Sequence, residues 1–280
     1  MNHTTIASPA ASVAAPDTLS ALQNAWAGIG APPAQPQSQP EPPRPEAVSL
    51  PLRESFLSLR DIPQISFDDA RGAFSMISSA YPAEWKEQVR QLRNRLAAAQ
   101  SELQMQDEAL QVVAFTNMDG RTDRFSTASN LALAMASIQD TRVLSVDANL
   151  ASPSLHASLR IAPGPGLCEA TRASRENLPA CFRRVAGSQV YFLTAGDIAT
   201  SNIDPLDLRG LHNLLRSLRS QFDWIFVDAP GFDTPADAMA ITMAADGVIM
   251  MIESQQDSFR DVARALGQVQ GRRMLGAIMF

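Results

Sequence analysis

Between residues 111 and 280 the chain alternates short, almost continuous apolar runs with longer stretches in which apolar residues recur at helical steps. The runs are QVVAFT (111–116), RVLSVD (142–147), QVYFLT (189–194), WIFVDAP (224–230), GVIMMI (247–252) and LGAIMF (275–280). A run with no polar face reads as a strand buried on both sides, the situation in a parallel sheet covered by helices. The stretches between them, 125–138, 206–220, 235–244 and 256–269, are long enough for right-handed helical crossovers. The pattern predicts an α/β fold, a doubly wound and mostly parallel sheet of six or more strands flanked by helices.

Upstream, residues 82–107 contain no glycine and have proline only at the first position, and Trp85, Val89, Leu92, Leu96 and Leu103 fall near one face. That predicts one long helix leading into the sheet. Residues 31–48 (APPAQPQSQPEPPRPEAV) are dense in proline and glutamine with almost no large apolar side chains, so they read as an extended linker. Ahead of them, Asp17 is placed to cap a short helix that carries Leu19, Leu22, Trp26 and Ile29 along one face and ends at Gly28 to Gly30. Such a stripe on a tethered peptide suits a partner's groove, although a helix this short is marginal alone and the alternative is a frayed segment without a role. The expected organisation is therefore 1–48 as a proline-rich N-terminal region and 49–81 as a connecting segment, followed by one domain over 82–280. Leu50, Leu52, Phe56, Leu57 and Leu59 argue that part of the connecting segment packs on the core.

The chain has 280 residues, 45% of them apolar, enough for one substantial core. Its net charge of -6 gives no reason to expect a nucleic acid or an anionic lipid surface as partner. Two cysteines, Cys168 and Cys181, are too few for a disulfide framework or a thiolate metal site and are expected to stay reduced in or near the core. The N-terminus lacks the basic and apolar regions of a signal peptide, and no stretch is long and apolar enough to span a bilayer, so a cytoplasmic protein is expected.

In open α/β sheets ligands sit at the carboxyl ends of the strands, which places Thr116 to Arg124, Asp147 to Asn149 and Asp228 to Gly231 around one crevice. The stretch VVAFTNMDGRTDRFSTASNLA (112–132) has the strand, loop and helix start of a P-loop. A working P-loop needs glycines, so that backbone N–H groups can wrap the phosphates, together with a lysine and a Ser/Thr hydroxyl for Mg²⁺. Most of these are missing here.

Several strings in a shared order carry a resemblance. They are STASNLALAMA (126–136), RVLSVDANLASPSLHASLRIAPGPGL (142–167), LTAGD (193–197) with Asn202 and Pro205 after it, FDWIFVDAPGFDTPADA (222–238) and AADGVIMMI (244–252). Over about 84–280 the chain resembles the bacterial tyrosine autokinases of polysaccharide export, members of the deviant-Walker class that includes partitioning and division-site ATPases. In that family the P-loop lysine lies six residues before the asparagine matched by Asn130, so the resemblance puts Arg124 at the lysine and Phe125 at the Mg²⁺-binding hydroxyl. Arg121 and Asp123 then take the places of the two glycines, with Thr122 between them.

Phenylalanine offers a metal no oxygen, an aspartate repels phosphate, and side chains at former glycines block the close backbone approach. A second register, Gly120-Arg121-Thr122, keeps a hydroxyl but sets Asn130 about one helical turn too far away and has Phe115 where a glycine belongs. Arg121, Thr122 and Arg124 are thus the candidate phosphate contacts, against the plainer reading of solvated side chains. The resemblance likewise matches Asp147 to the residue that orients the attacking group near Mg²⁺, with Asn149 and Ala151 departing from the pattern around it. Asp228 matches the Walker B aspartate, a position that serves equally to brace neighbouring loops. Glu87, Arg90 and Arg93 reproduce the family's Glu-x-x-Arg-x-x-Arg motif, which implies a subunit interface; the alternative is a self-paired solvated face.

The family's phosphorylated tyrosine-rich tail has no counterpart among Tyr81 and Tyr191, the only tyrosines. The reading is a catalytically degenerate relative, without nucleotide cofactor or metal, that assembles or regulates exopolysaccharide export. Its expected partner is the cytoplasmic segment of a membrane polysaccharide co-polymerase, which would recruit it to the inner face of the membrane as a homo- or hetero-oligomer. Two alternatives stand beside it. One is an active ATPase or tyrosine kinase using ATP and Mg²⁺ through a non-standard P-loop; the other is a partitioning-type positioning protein for a pilus or cellulose machine.

Overall fold

The apolar runs all fall on strands; the first five are buried throughout because helices cover both of their faces, whereas the last, Met274–Met279, is only partly covered. The computed structural model describes residues 56–66, 83–118, 124–138, 140–198, 208–232, 235–253, 259–269 and 273–279. In chain order the elements begin with β1 (Gln64–Ile65), α1 (Ala83–Met105), β2 (Val112–Asn117), α2 (Arg124–Ala136) and β3 (Val143–Asp147). Two short helices, α3 (Leu155–Ser158) and α4 (Leu167–Ala170), and a 3₁₀ turn at Leu178–Cys181 lead to β4 (Phe182–Val185) and β5 (Val190–Leu193). The chain continues through α5 (Leu208–Leu218), β6 (Trp224–Asp228), α6 (Pro235–Ala244), β7 (Gly247–Ile252), α7 (Phe259–Gln268) and β8 (Met274–Met279).

They build one eight-stranded sheet in the order β1-β4-β5-β3-β6-β2-β7-β8. Every neighbouring pair is parallel except β4 and β5. The doubly wound, mostly parallel sheet expected from the sequence is therefore observed, and β1 and β4 are additions to it. β4 escaped the pattern because Arg183 and Arg184 interrupt its apolar run; both are half-buried, and the strand forms a hairpin with β5 through Gly187, whose φ is +72°. β1 is two residues long, too short to show any period.

One face of the sheet packs Val89 and Leu96 of α1 and Leu131 and Met135 of α2 against Phe115, Trp224 and Phe226. The Phe115 and Phe226 rings meet edge to face at 5.7 Å. The other face carries Leu211, Leu214, Leu215 and Leu218 of α5 and Ile241 of α6, packed with Tyr191, Ile225 and Val227. Leu57 and Ile62 also enter this layer, with Phe56 and Leu59 beside them. Val262, Ala265 and Val269, on α7 and just past its end, cover Val248 and Met250 at the β7 end of the sheet. Leu50 and Leu52, and the Leu19, Leu22, Trp26 and Ile29 stripe, lie outside the described residues.

Both cysteines are buried, and neither is in a disulfide. Burial, reinforced by the Glu169 charge, pushes the Cys181 thiol up to about 11 and the Cys168 thiol upward as well. Because the thiolate is the reactive form, neither is expected to react with dithionitrobenzoate near neutral pH in the native protein, and both should react after denaturation. Rapid native labelling of either residue would contradict this environment.

Candidate functional site

The strand register brings the two candidate carboxylates together. Asp147, the last residue of β3, is the cross-strand neighbour of Asp228, the last residue of β6, and Phe115 of β2 is the neighbour of Asp228 on the other side. Asp147 and Asp228 are 0% and 2% exposed. Thr116 is buried as well, and its hydroxyl donates to the Pro230 carbonyl at 2.8 Å. The loop after β6 is laced onto the same strand ends, with Ala229 N donating to Phe115 O at 2.8 Å and Phe232 N to Asn117 O at 3.0 Å. The carboxyl ends of β2, β3 and β6 thus meet in a tightly hydrogen-bonded junction.

Asp147 is occupied within it. Its Oδ2 accepts the N–H groups of Ser154 and Leu155, each at 3.0 Å, and its Oδ1 accepts Asn149 N at 3.3 Å. The carboxylate therefore serves as a remote cap for α3, satisfying N–H groups that a helix start leaves unpaired. Burial raises its pKa above the ordinary carboxylate value, against the opposing pull of these three N–H groups and of His156.

Arg124 opens α2. Its side chain and that of Phe125, together with Arg121, Thr122 and Asp123, lie outside the described residues. Asn130, the anchor of the sequence register, is fully buried in α2. Among the described residues no group of three His, Cys, Asp or Glu side chains is arranged to hold a metal ion.

On α1 the charged motif divides into two parts. Glu87 and Arg90 form an exposed pair at 3.0 Å. Arg93 instead donates to Ser137 Oγ at 3.1 Å and to Asn94 Oδ1 at 2.9 and 3.0 Å, in contacts that are themselves exposed. Each of the three residues thus has a partner within the subunit.

The strings around 163–167 and 193–197 form one joint, which sequence reading had recorded only as likeness. Leu167 N donates to Thr194 O at 2.7 Å and Cys168 N to Ala195 O at 3.1 Å. The Glu169 carboxylate gathers Gly166 N at 2.8 Å and Asp197 N at 3.2 Å. A Cβ on Gly166 would stand 2.3 Å from Thr194 O, and Gly196 has φ +95°, so both positions require glycine. Nothing local in either segment says that the two meet.

No protein-family profile matches the chain. It is 25% identical over 195 residues to the tyrosine-protein kinase YwqD of Bacillus subtilis, a match covering 69% of this chain and 79% of that protein. It is 28% identical over 129 residues to the succinoglycan biosynthesis transport protein ExoP of Rhizobium meliloti, covering 45% of this chain but 16% of the relative. Among solved structures, the BceF tyrosine kinase domain superimposes with a TM-score of 0.60 at 20% identity, over 80% of this chain and 93% of that one. The VpsO kinase domain gives 0.55 at 25% identity, over 70% and 98%. The septum site-determining protein MinD of Pyrococcus horikoshii, complexed with Mg-ADP, gives 0.51 at 22% identity, over 61% and 70%. By sequence and by fold, the chain is a homologue of the bacterial tyrosine kinases, built on the P-loop NTPase fold that MinD also has.

Proposed function

We propose that this chain is a catalytically degenerate tyrosine-kinase homologue that acts as an assembly or regulatory subunit in exopolysaccharide biosynthesis and export. The observation that carries the proposal is the state of Asp147: both carboxylate oxygens are taken by backbone N–H groups of its own fold, leaving the residue a brace rather than a metal-facing group. The sequence supports the same reading. A phenylalanine at 125 has no oxygen for Mg²⁺, and Arg121 and Asp123 stand in the sequence where the resemblance puts the two glycines of a phosphate cradle. ATP and Mg²⁺ therefore do not fit this donor set, and no reaction step is assigned to them.

The kinship with ExoP, a protein named for succinoglycan biosynthesis transport, supports the polysaccharide setting. Among the described residues no helix is long and apolar enough to cross a membrane. Cytoplasmic placement, with recruitment to the membrane by the cytoplasmic segment of a polysaccharide co-polymerase, belongs to the same proposal. The exposed Glu87–Arg90 face of α1 is its candidate contact between subunits.

Calorimetric titration of ATP and ADP into the purified full-length protein, with and without Mg²⁺, tests the proposal. The expected result is no binding up to roughly millimolar concentration, equivalent to less than about 4 kcal/mol of affinity. Tight Mg²⁺-dependent binding would replace it with an active ATPase or kinase.

A further inference from the structure

Among the described residues the sheet ends at β8, which pairs there only with β7. The sequence of β8, MLGAIM, contains no charged residue and no proline, the devices that usually keep an open strand edge from pairing with another chain. Beside this strand lies a cavity of about 310 Å³. Its walls are residues 277–279 of β8, Gln88, Gln91 and Arg95 of α1, and Thr127 near the start of α2.

The polar groups here are unusually idle. The Thr127 hydroxyl is buried and has no hydrogen-bond partner, and Thr127 as a whole is 2% exposed. Among the described residues the side chains of Gln88, Gln91 and Arg95 make no hydrogen bond or ion pair. A buried hydroxyl without a partner is costly and rare in a settled interior, which points to a group that completes it. Among the described residues lining the cavity Arg95 is a cation and none is acidic.

We infer that this groove binds an extended peptide bearing a carboxylate side chain. The peptide adds its main chain to the open edge of β8, as in strand-addition recognition, and presents its acid to Arg95. Gln88 and Gln91 are able to take main-chain amides on the helix side, and the Thr127 hydroxyl receives the polar group that enters deepest. A second copy of this chain pairing through its own β8 fits less well, because MLGAIM brings no carboxylate to Arg95. The site is separate from the Asp147–Asp228 junction and does not depend on the proposed function.

The test begins with selection of a random peptide library displayed on phage against the full-length protein. The strongest sequence is then synthesised with a fluorescent label and its binding measured by anisotropy. Selected peptides should alternate β-branched residues and share one Asp or Glu. Exchanging that acid for its amide, or introducing Arg95→Glu, should weaken binding by about tenfold or more.

Thr127→Val should weaken binding several-fold while leaving the thermal midpoint unchanged or higher, since it removes an unpartnered buried hydroxyl. A purely structural threonine would instead lower the midpoint and leave binding alone. Peptides without a shared acid, or binding indifferent to both variants, would overturn the inference. So would a protein that takes no peptide and whose molecular mass by light scattering falls with Arg95→Glu, because a second copy would then be the occupant.

Discussion

Asp246→Ala is expected to lower the unfolding free energy by about 3 kcal/mol, in the range for stranding the partner of a largely buried ion pair. Asp246 sits at the opposite end of the sheet from the candidate site and closes a joint between three elements. Its Oδ2 accepts the backbone N–H groups of Gln111 at 2.9 Å and Val112 at 2.8 Å, where β2 begins. Both oxygens also receive the Arg219 guanidinium, at 2.8 and 2.6 Å, and the two side chains are only 27% and 15% exposed. Gln111 in turn donates from its amide to the Arg219 carbonyl at 2.8 Å and to the Phe222 carbonyl.

Alanine at 246 leaves a charged guanidinium and two strand N–H groups short of acceptors in a site only partly open to water. For a domain of this size the loss corresponds to roughly 6 to 12 °C at the thermal midpoint. Urea denaturation of the wild type, Asp246→Ala and Asp246→Asn gives the comparison, with asparagine intermediate because it keeps one acceptor oxygen. A loss below about 1 kcal/mol for the alanine variant would mean that solvent screens the pair as it does at an open surface.

The second large effect concerns the loop ahead of α2. Changing Arg121 and Asp123 to glycine, Arg124 to lysine and Phe125 to serine is expected to create Mg²⁺-dependent ATP binding where the parent has none. Four favourable changes at about 1 kcal/mol or more each amount to on the order of a thousandfold in affinity. The surroundings favour this gain, since β2, α2 and the buried Asn130 keep the strand–loop–helix frame, and Asp228 remains at the end of the adjacent strand. Hydrolysis is not expected to follow, because Asp147 stays tied to the start of α3. Calorimetry of the fourfold variant decides the matter: an unchanged null titration would show that the assigned loop register, anchored on Asn130, is wrong.

Much of this architecture was legible before any coordinates. The strands β2, β3, β5, β6, β7 and β8 each announce themselves by a run with no polar face, and α1 by its stripe of Val89, Leu92, Leu96 and Leu103. The ends of β3 and β6 put Asp147 beside Asp228, because a parallel sheet aligns the carboxyl ends of its strands. The shortfalls share a cause. β4 carries two arginines, α3 and α4 are each four residues long, and β1 has only two, so no periodicity develops over them.

What each polar residue does was decided elsewhere. Asp147, matched by resemblance to a residue near Mg²⁺, acquired its backbone partners only when the chain after β3 folded back to put Ser154 and Leu155 N–H groups on it. Arg93 looked like its motif partners Glu87 and Arg90 until α2 brought Ser137 within its reach. The Asp246 joint unites residues more than a hundred positions apart that no local pattern connects. Hydrophobic period is local information, written within a few residues, and it determined which segments are strands and helices in this protein. Hydrogen bonds of buried polar groups depend on which strand ends and helix starts the sheet order places side by side, and only the tertiary structure decided that.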